Sequence, residues 1–176
     1  MKIVTPSGRA LEYQFGGIVL DRVAHDEALV ELASSAGVEY LLDSWVEDVV
    51  DNTVILRGGE RLEGRVIVGA GGHNDPIRKN HWKEESLNIP VKFVLKEASP
   101  TDSVELHFGS VAPGGYAWVF PKQGHSNIGL GIQRRIAGGR SLNQYAEDFI
   151  SKYEGDVTFR GAGSLPMSGT IDSFVK

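Results

Sequence analysis

The sequence predicts an α+β protein: an antiparallel-sheet domain together with a smaller piece made of a helix and a β-meander. Three observations carry that prediction. From Val91 onward, four runs alternate apolar and polar residues, and each is followed by turn residues, as expected of strands with two different faces. Between residues 45 and 69, short β-branched runs are divided by Asp51-Asn52 and Gly58-Gly59. Two stretches, near Ala24–Ala36 and Ser141–Tyr153, space their apolar residues for a helix.

In chain order, "KIVTPSGRALEYQF" reads as two extended runs around the turn Pro6-Ser7-Gly8-Arg9. The first helix follows. Ala24, Ala28, Leu29, Leu32, Ala33 and Ala36 share one face, Asp21 is placed to cap it and Gly37 to stop it. That face is expected to pack beside the meander. The runs "VEYLL", "WVEDVVD", "TVILRG" and "RLEGRVIVGA" read as a strand and then the meander, and residues 71–87 as a polar, irregular connection. In the main sheet, Val91, Phe93 and Leu95 share a face, as do Val104, Leu106 and Phe108; Glu105 and His107 between them read as the solvated side. In the second helix Leu142, Tyr145, Phe149 and Ile150 face inward, with Ser141 near the cap.

The chain has 176 residues, room for one core of ordinary size. A net charge of −5 argues against a surface that tracks nucleic-acid phosphates. The absence of cysteine removes disulfides, thiolate metal sites and cysteine nucleophiles. The five histidines, at 25, 73, 81, 107 and 125, lack metal-ligand spacing, and no serine sits in a Gly-x-Ser-x-Gly elbow, so no metal site is expected. No apolar run reaches the ~20 residues that span a bilayer. The expectation is a soluble, cytoplasmic protein.

The stretch "APGGYAWVFPKQGHSNIGLGI" carries the functional signal. Tyr116, Trp118 and Phe120 alternate with small or aliphatic residues, and the next strand holds Gly129 and Gly131. If the loop is Lys122 to His125, an antiparallel pairing sets Trp118 opposite Gly129 and Tyr116 opposite Gly131. A loop one residue longer or shorter would put Ile128 and Leu130 there instead. Directly opposed Cβ atoms lie only ~4.5–5.5 Å apart, so a glycine leaves room for a large ring or for a ligand against the backbone. The pairing serves either a packed core or the wall of an apolar pocket.

"PGGYAWVFPK" followed by "NIGLGI" resembles the geranylgeranyl reductase family of FAD-dependent oxidoreductases, in the p-hydroxybenzoate hydroxylase-like superfamily, with its Tyr-x-Trp-x-Phe-Pro motif and Gly-x-Gly strand. "VLDRVAHDEALVELASSAGVEY" resembles the family's Val-Asp-Arg-x-x-Phe-Asp helix, with His25 in place of Phe. "VIVGAGGHNDPIRK" is similar to the superfamily's Gly-Ala-Asp-Gly segment, with Gly71 in place of Asp, and "GAGSLPMSGTIDSFVK" to the run-up to a flavin contact. The resemblance implies substrate-domain strands over 1–20, part of an FAD-binding domain over 21–78, the antiparallel substrate domain over 79–164 and a return toward the FAD domain over 165–176.

The resemblance further implies a parent enzyme that reduces isoprenoid double bonds of a lipid or lipid precursor with FAD. Its electron donor would be NADPH or of ferredoxin type, and a peripheral membrane contact is compatible. Arg22, Gly69 and Gly72 would lie near the flavin, while Gly115, Tyr116, Trp118, Phe120, Pro121, Gly129 and Gly131 would line the apolar channel. No catalytic residue is assigned. Neither "GAGGHN" at Gly69 nor "GAGSLP" at Gly161 completes a Gly-x-Gly-x-x-Gly turn. The expectation is an internal piece of a longer enzyme that does not hold FAD tightly by itself. Two other readings are a monooxygenase or halogenase of the same superfamily, and a non-catalytic domain that binds an apolar ligand.

Overall fold

The computed structural model of the chain describes residues 1–14, 16–81, 88–98 and 100–167. It divides into two units, one from residues 1–19 and 87–168, the other from 20–86 and 169–176. The chain opens on a hairpin of β1 (Lys2–Val4) and β2 (Ala10–Glu12), joined through Gly8 at φ +80°. Glycine takes that angle without a Cβ clash.

In the second unit, α1 (Arg22–Ser35) begins where Asp21 accepts the N–H groups of Val23 and Ala24, and it ends before Gly37 at φ +91°. Its caps are those the sequence predicts, but its packing is not. Only Ala33 is half-buried, and Leu29 and Leu32 are 53% and 68% exposed. The meander is β3 (Val46–Val50), β4 (Thr53–Leu56) and β5 (Arg61–Glu63), with Asp51 at φ +52° in its first turn. Its apolar side borders a cavity shared with the segment from Ile67 to Asn80, and α1 does not line that cavity.

The runs at 38–42 and 65–70, read as strands, join no sheet among the described residues. Val66 and Val68 are each 80% exposed. Apolar residues on both sides of such a run suit a strand covered on two faces, whereas here only the Ile67 side is partly covered. A further correction concerns 71–81, residues 82–87 lying outside those described. A short 3₁₀ turn (Gly72–Asn74) leads into α2 (Pro76–His81), where the reading had only irregular chain.

The first unit is built on a seven-stranded sheet. It adds β6 (Asn88–Lys96), β7 (Glu105–His107), β8 (Tyr116–Lys122), β9 (His125–Gly131) and β10 (Val157–Pro166) to the first hairpin. The strand order is β10-β6-β9-β8-β7-β1-β2, and every pairing is antiparallel except β1 with β7. One face carries Val94, Ala117, Val119, Ile128 and Leu130, all inaccessible to solvent, under α3 (Leu142–Ile150). Tyr145, Ala146 and Phe149 of α3 fill that core. Ser141 and Gln144 close a capping box at its start, and each bond satisfies an otherwise orphaned helix donor.

Glu105 and His107 call for another correction. They lie on the α3 face, not on a solvated one, and Glu105 is 6% exposed. Glu105 accepts from Lys2 Nζ at 2.9 Å and pairs with His107 Nε2 at 2.9 Å, while the Tyr153 hydroxyl lies 3.4 Å from the same histidine nitrogen. A buried carboxylate needs such partners. Burial pushes the Glu105 carboxyl up, but the bonds and charges of Lys2 and His107 outweigh it and hold it below the usual value. Burial, with the charge of Glu105, pushes Tyr153 up to about 12. Among the described residues no helix is long and apolar enough to cross a membrane, and no cluster of His, Asp and Glu is placed to hold a metal.

Candidate functional site

The face of the sheet away from α3 carries a line of aromatic rings. Because β8 alternates regularly, Tyr116, Trp118 and Phe120 project to the same side. Their centroids follow at 5.8 and 6.0 Å, Trp118 and Phe120 lie 24° from parallel, and Phe108 extends the line at 6.0 Å from Tyr116. Such distances fall in the range where aromatic pairs attract beyond simple burial. The four rings form a continuous ladder.

The neighbouring strand stands in the expected register. Trp118 faces Gly129, Tyr116 faces Gly131 and Pro121 faces Ser126. The turn is shorter than the four residues expected, because Lys122 and His125 are themselves paired and only Gln123 and Gly124 project. The glycines do not leave an open slot. A β-carbon on Gly129 would stand 2.6 Å from Trp118 Cζ2, 2.5 Å from Phe93 Cβ and 2.6 Å from the Lys92 carbonyl oxygen. One on Gly131 would meet Ile89 and Val91 at 2.9 Å, and one on Gly115 would lie 2.2 Å from the Gly131 carbonyl oxygen. Phe93 likewise covers Gly161 of β10, the residue it faces in register. Trp118 and Phe93 thus each sit against a glycine of the adjacent strand, and together with the ladder they make a floor.

Asn127, which the sequence reading did not single out, fixes the centre of that floor. Its Oδ1 accepts the Trp118 Nε1–H at 2.8 Å, which satisfies the one polar group of a ring that is only 8% exposed. Its place two residues before Gly129, on the ring side of β9, is the signal that could have found it. Pro121 differs from the other residues of the motif. Alternation turns it to the α3 side, and it lies past the last β7 pairing, Glu105 with Val119.

The residues expected near flavin lie in the other unit. Arg22 is held by Asp26, with Nε to Oδ1 at 3.2 Å and Nη2 to Oδ2 at 3.0 Å. Gly69 lines the cavity beside the meander, whereas Arg22 and Gly72 do not. Asp75, another residue the reading passed over, organises this segment. It is 7% exposed, caps α2 by accepting from Ile77 N at 2.8 Å and Arg78 N at 3.3 Å, and accepts from Gly71 N at 2.6 Å. Pro76 at the first helical position is the matching signal in sequence. A β-carbon on Gly69 or on Gly71 would come within 2.9 Å of that carboxylate. The backbone N–H groups of Gly71, Ile77 and Arg78 are thus satisfied within the chain by Asp75.

Residues 87–162 match the family described as the geranylgeranyl reductase catalytic domain. Over 99% of its length the chain is 30% identical to digeranylgeranylglycerophospholipid reductase 1 of Methanococcoides burtonii, of which it covers 48%. A crystal structure of a geranylgeranyl bacteriochlorophyll reductase-like protein from Thermoplasma acidophilum superposes with a TM-score of 0.72 at 22% identity, over 94% of this chain and 49% of that one. A flavin-dependent halogenase from Xanthomonas campestris superposes at 0.63 with 15% identity, over 80% of this chain and 30% of that one. These two likenesses establish the fold. The chain spans about half the length of the curated relatives it matches. The ladder, its glycines and most of β10 lie inside the residues that match the geranylgeranyl reductase catalytic domain.

Proposed function

We propose that the seven-stranded unit binds the isoprenoid chain of the substrate in an FAD-dependent reductase, and that the complete enzyme saturates geranylgeranyl double bonds of a lipid or lipid precursor. The ladder from Phe108 through Tyr116 and Trp118 to Phe120 is the observation that supports this most directly. It offers flat apolar area along a line, which suits a long unsaturated hydrocarbon and leaves a compact polar substrate mostly unsupported. Trp118, held by Asn127 and only 8% exposed, braces the centre of the line, while Tyr116, Phe120 and Phe108 are its more exposed rings.

Hydride chemistry in such an enzyme belongs to its flavin. Of this chain, Arg22, Gly69 and Gly72 are the residues that the family resemblance directs to that flavin. A phosphate there would have to displace Asp26 from Arg22 and Asp75 from the Gly71 backbone. The test uses the complete enzyme with a geranylgeranyl lipid and a reductant, run once without oxygen and once in air. The reading predicts a product heavier by a pair of hydrogens for each double bond reduced. Consumption of oxygen with a hydroxylated or halogenated product would favour the other flavoenzyme reading. Tight lipid binding by a complete enzyme devoid of flavin would favour a binding domain.

A further inference from the structure

We infer that the cavity at the Phe120 end of the ladder receives the phosphate-bearing head of the lipid, with Lys122 as its cationic contact. This rests on the reading of the ladder as the site of the tail. Strand alternation continues the line Tyr116, Trp118, Phe120 to Lys122 on the same side of β8. Lys122, Gln123, Ser103, Asp102 and the Gly16-Gly17 backbone line a cavity of about 920 Å³, all within the first unit. A linear order of three rings and then a cation matches an amphiphile whose tail ends in an anion.

Lys122 is half-buried and makes no ion pair among the described residues. A partly buried ammonium that forms no ion pair gains from an incoming anion, since hydrogen bonds to charged groups exceed neutral ones. The rest of the lining limits that anion. Asp102 opposes a second negative charge, whereas the Ser103 hydroxyl and the Gln123 amide suit ester or hydroxyl oxygens. Gly16 has open space where a side chain would start, so a head group can approach its backbone. The chemistry that fits is one phosphate ester, either a prenyl monophosphate or the phosphodiester of a glycerolipid.

Calorimetric titration of the full chain tests this with geranylgeraniol, geranylgeranyl monophosphate, a digeranylgeranyl glycerophospholipid in detergent, and inorganic phosphate. Either phosphate-bearing lipid should bind about tenfold more tightly than the alcohol, the size expected of one charge-assisted contact. Added salt should erode the difference. Lys122→Met should abolish that advantage and Lys122→Arg should keep it, with melting temperatures unchanged in both. Whichever phosphate lipid binds more tightly names its source. Equal binding of alcohol and phosphate, or an advantage that survives Lys122→Met, overturns the head-group site and leaves the tail site standing. Binding of inorganic phosphate as tight as that of the lipids would overturn the link between cavity and ladder. Failure of all three lipids to bind would overturn both readings.

Discussion

The indole of Trp118 lies across the backbone of Gly129, with Cζ2 only 2.6 Å from where a β-carbon on that glycine would stand. The glycine therefore serves the ring before it serves any ligand. A flat indole can settle onto the sheet only where the opposite residue has no side chain, and Phe93 repeats the arrangement over Gly161.

Gly129→Ala should be costly. Two of the three atoms its β-carbon would meet are Phe93 Cβ and the Lys92 carbonyl oxygen, neither of which is the free end of a side chain. β6 and β9 would have to part, and overpacking of this kind costs about 1–3 kcal/mol. Gly163→Ala is the control. Its β-carbon would sit 3.6 Å from Val91, an ordinary contact, so about zero to 1 kcal/mol of stabilisation is expected from the lost backbone freedom of glycine. Urea unfolding of both variants gives the comparison, and equal costs would mean that the Trp118 seat is loose.

Asn127 should matter through Trp118. Removing its acceptor leaves an indole N–H in a ring that is 8% exposed, so Asn127→Ala should lose about 1–3 kcal/mol. Asn127→Asp keeps an acceptor and should lose less. In the complete enzyme, the alanine variant should lower reduction of a geranylgeranyl chain, and the aspartate variant should restore most of it. An alanine variant with a lower melting temperature and full turnover per folded molecule would make this contact purely structural.

The pairing of Glu105 with Lys2 and His107 makes stability depend on acid. The folded-state pKa of Glu105 lies below its ordinary value, so its ionised form is favoured by folding. That stabilisation is present above the unfolded carboxyl pKa of about 4.3 and is lost as pH falls through the folded value. Chemical unfolding between pH 6 and pH 3 should show wild type losing more stability than Glu105→Gln, which starts lower and has no carboxylate to protonate. Parallel pH profiles for the two proteins would remove Glu105 from the account.

The register of β8 and β9 was legible because period-two alternation and a short polar turn leave few ways to pair the strands, and Trp118 opposite Gly129 followed. Helix ends were legible from their caps, Asp21 and Ser141. Partners were harder. The apolar stripe of α1 states that something covers it but not what, and no described residue buries Leu29 or Leu32. Glu105 and His107 alternate with apolar residues as a solvated face would; only the distant Lys2 and Tyr153, brought together by folding, make burial tolerable. β10 escaped notice because its glycines weaken any strand pattern, yet Gly161 is there to receive Phe93. The polar stretch after Gly71 reads as irregular chain, yet Pro76 within it is the first residue of α2.

The same segment supports a final prediction, on Asp75 and Gly71. The Asp75 carboxylate caps α2 with one oxygen and takes the Gly71 N–H with the other, in the space a side chain at 71 would need. Asp75→Ala should cost about 0.5–2 kcal/mol as a lost cap and should speed hydrogen exchange at the Ile77 and Arg78 amides, which it accepts from. Gly71→Ala, with its β-carbon 2.9 Å from Asp75 Oδ2, should expose the same amides by pushing the carboxylate away. Because both changes act on one contact, their effects should not add. The double variant should exchange little faster than Asp75→Ala alone, whereas independent sites would give the sum of the two costs. Additive exchange rates would show that Gly71 and Asp75 are not coupled and that glycine at 71 has another cause.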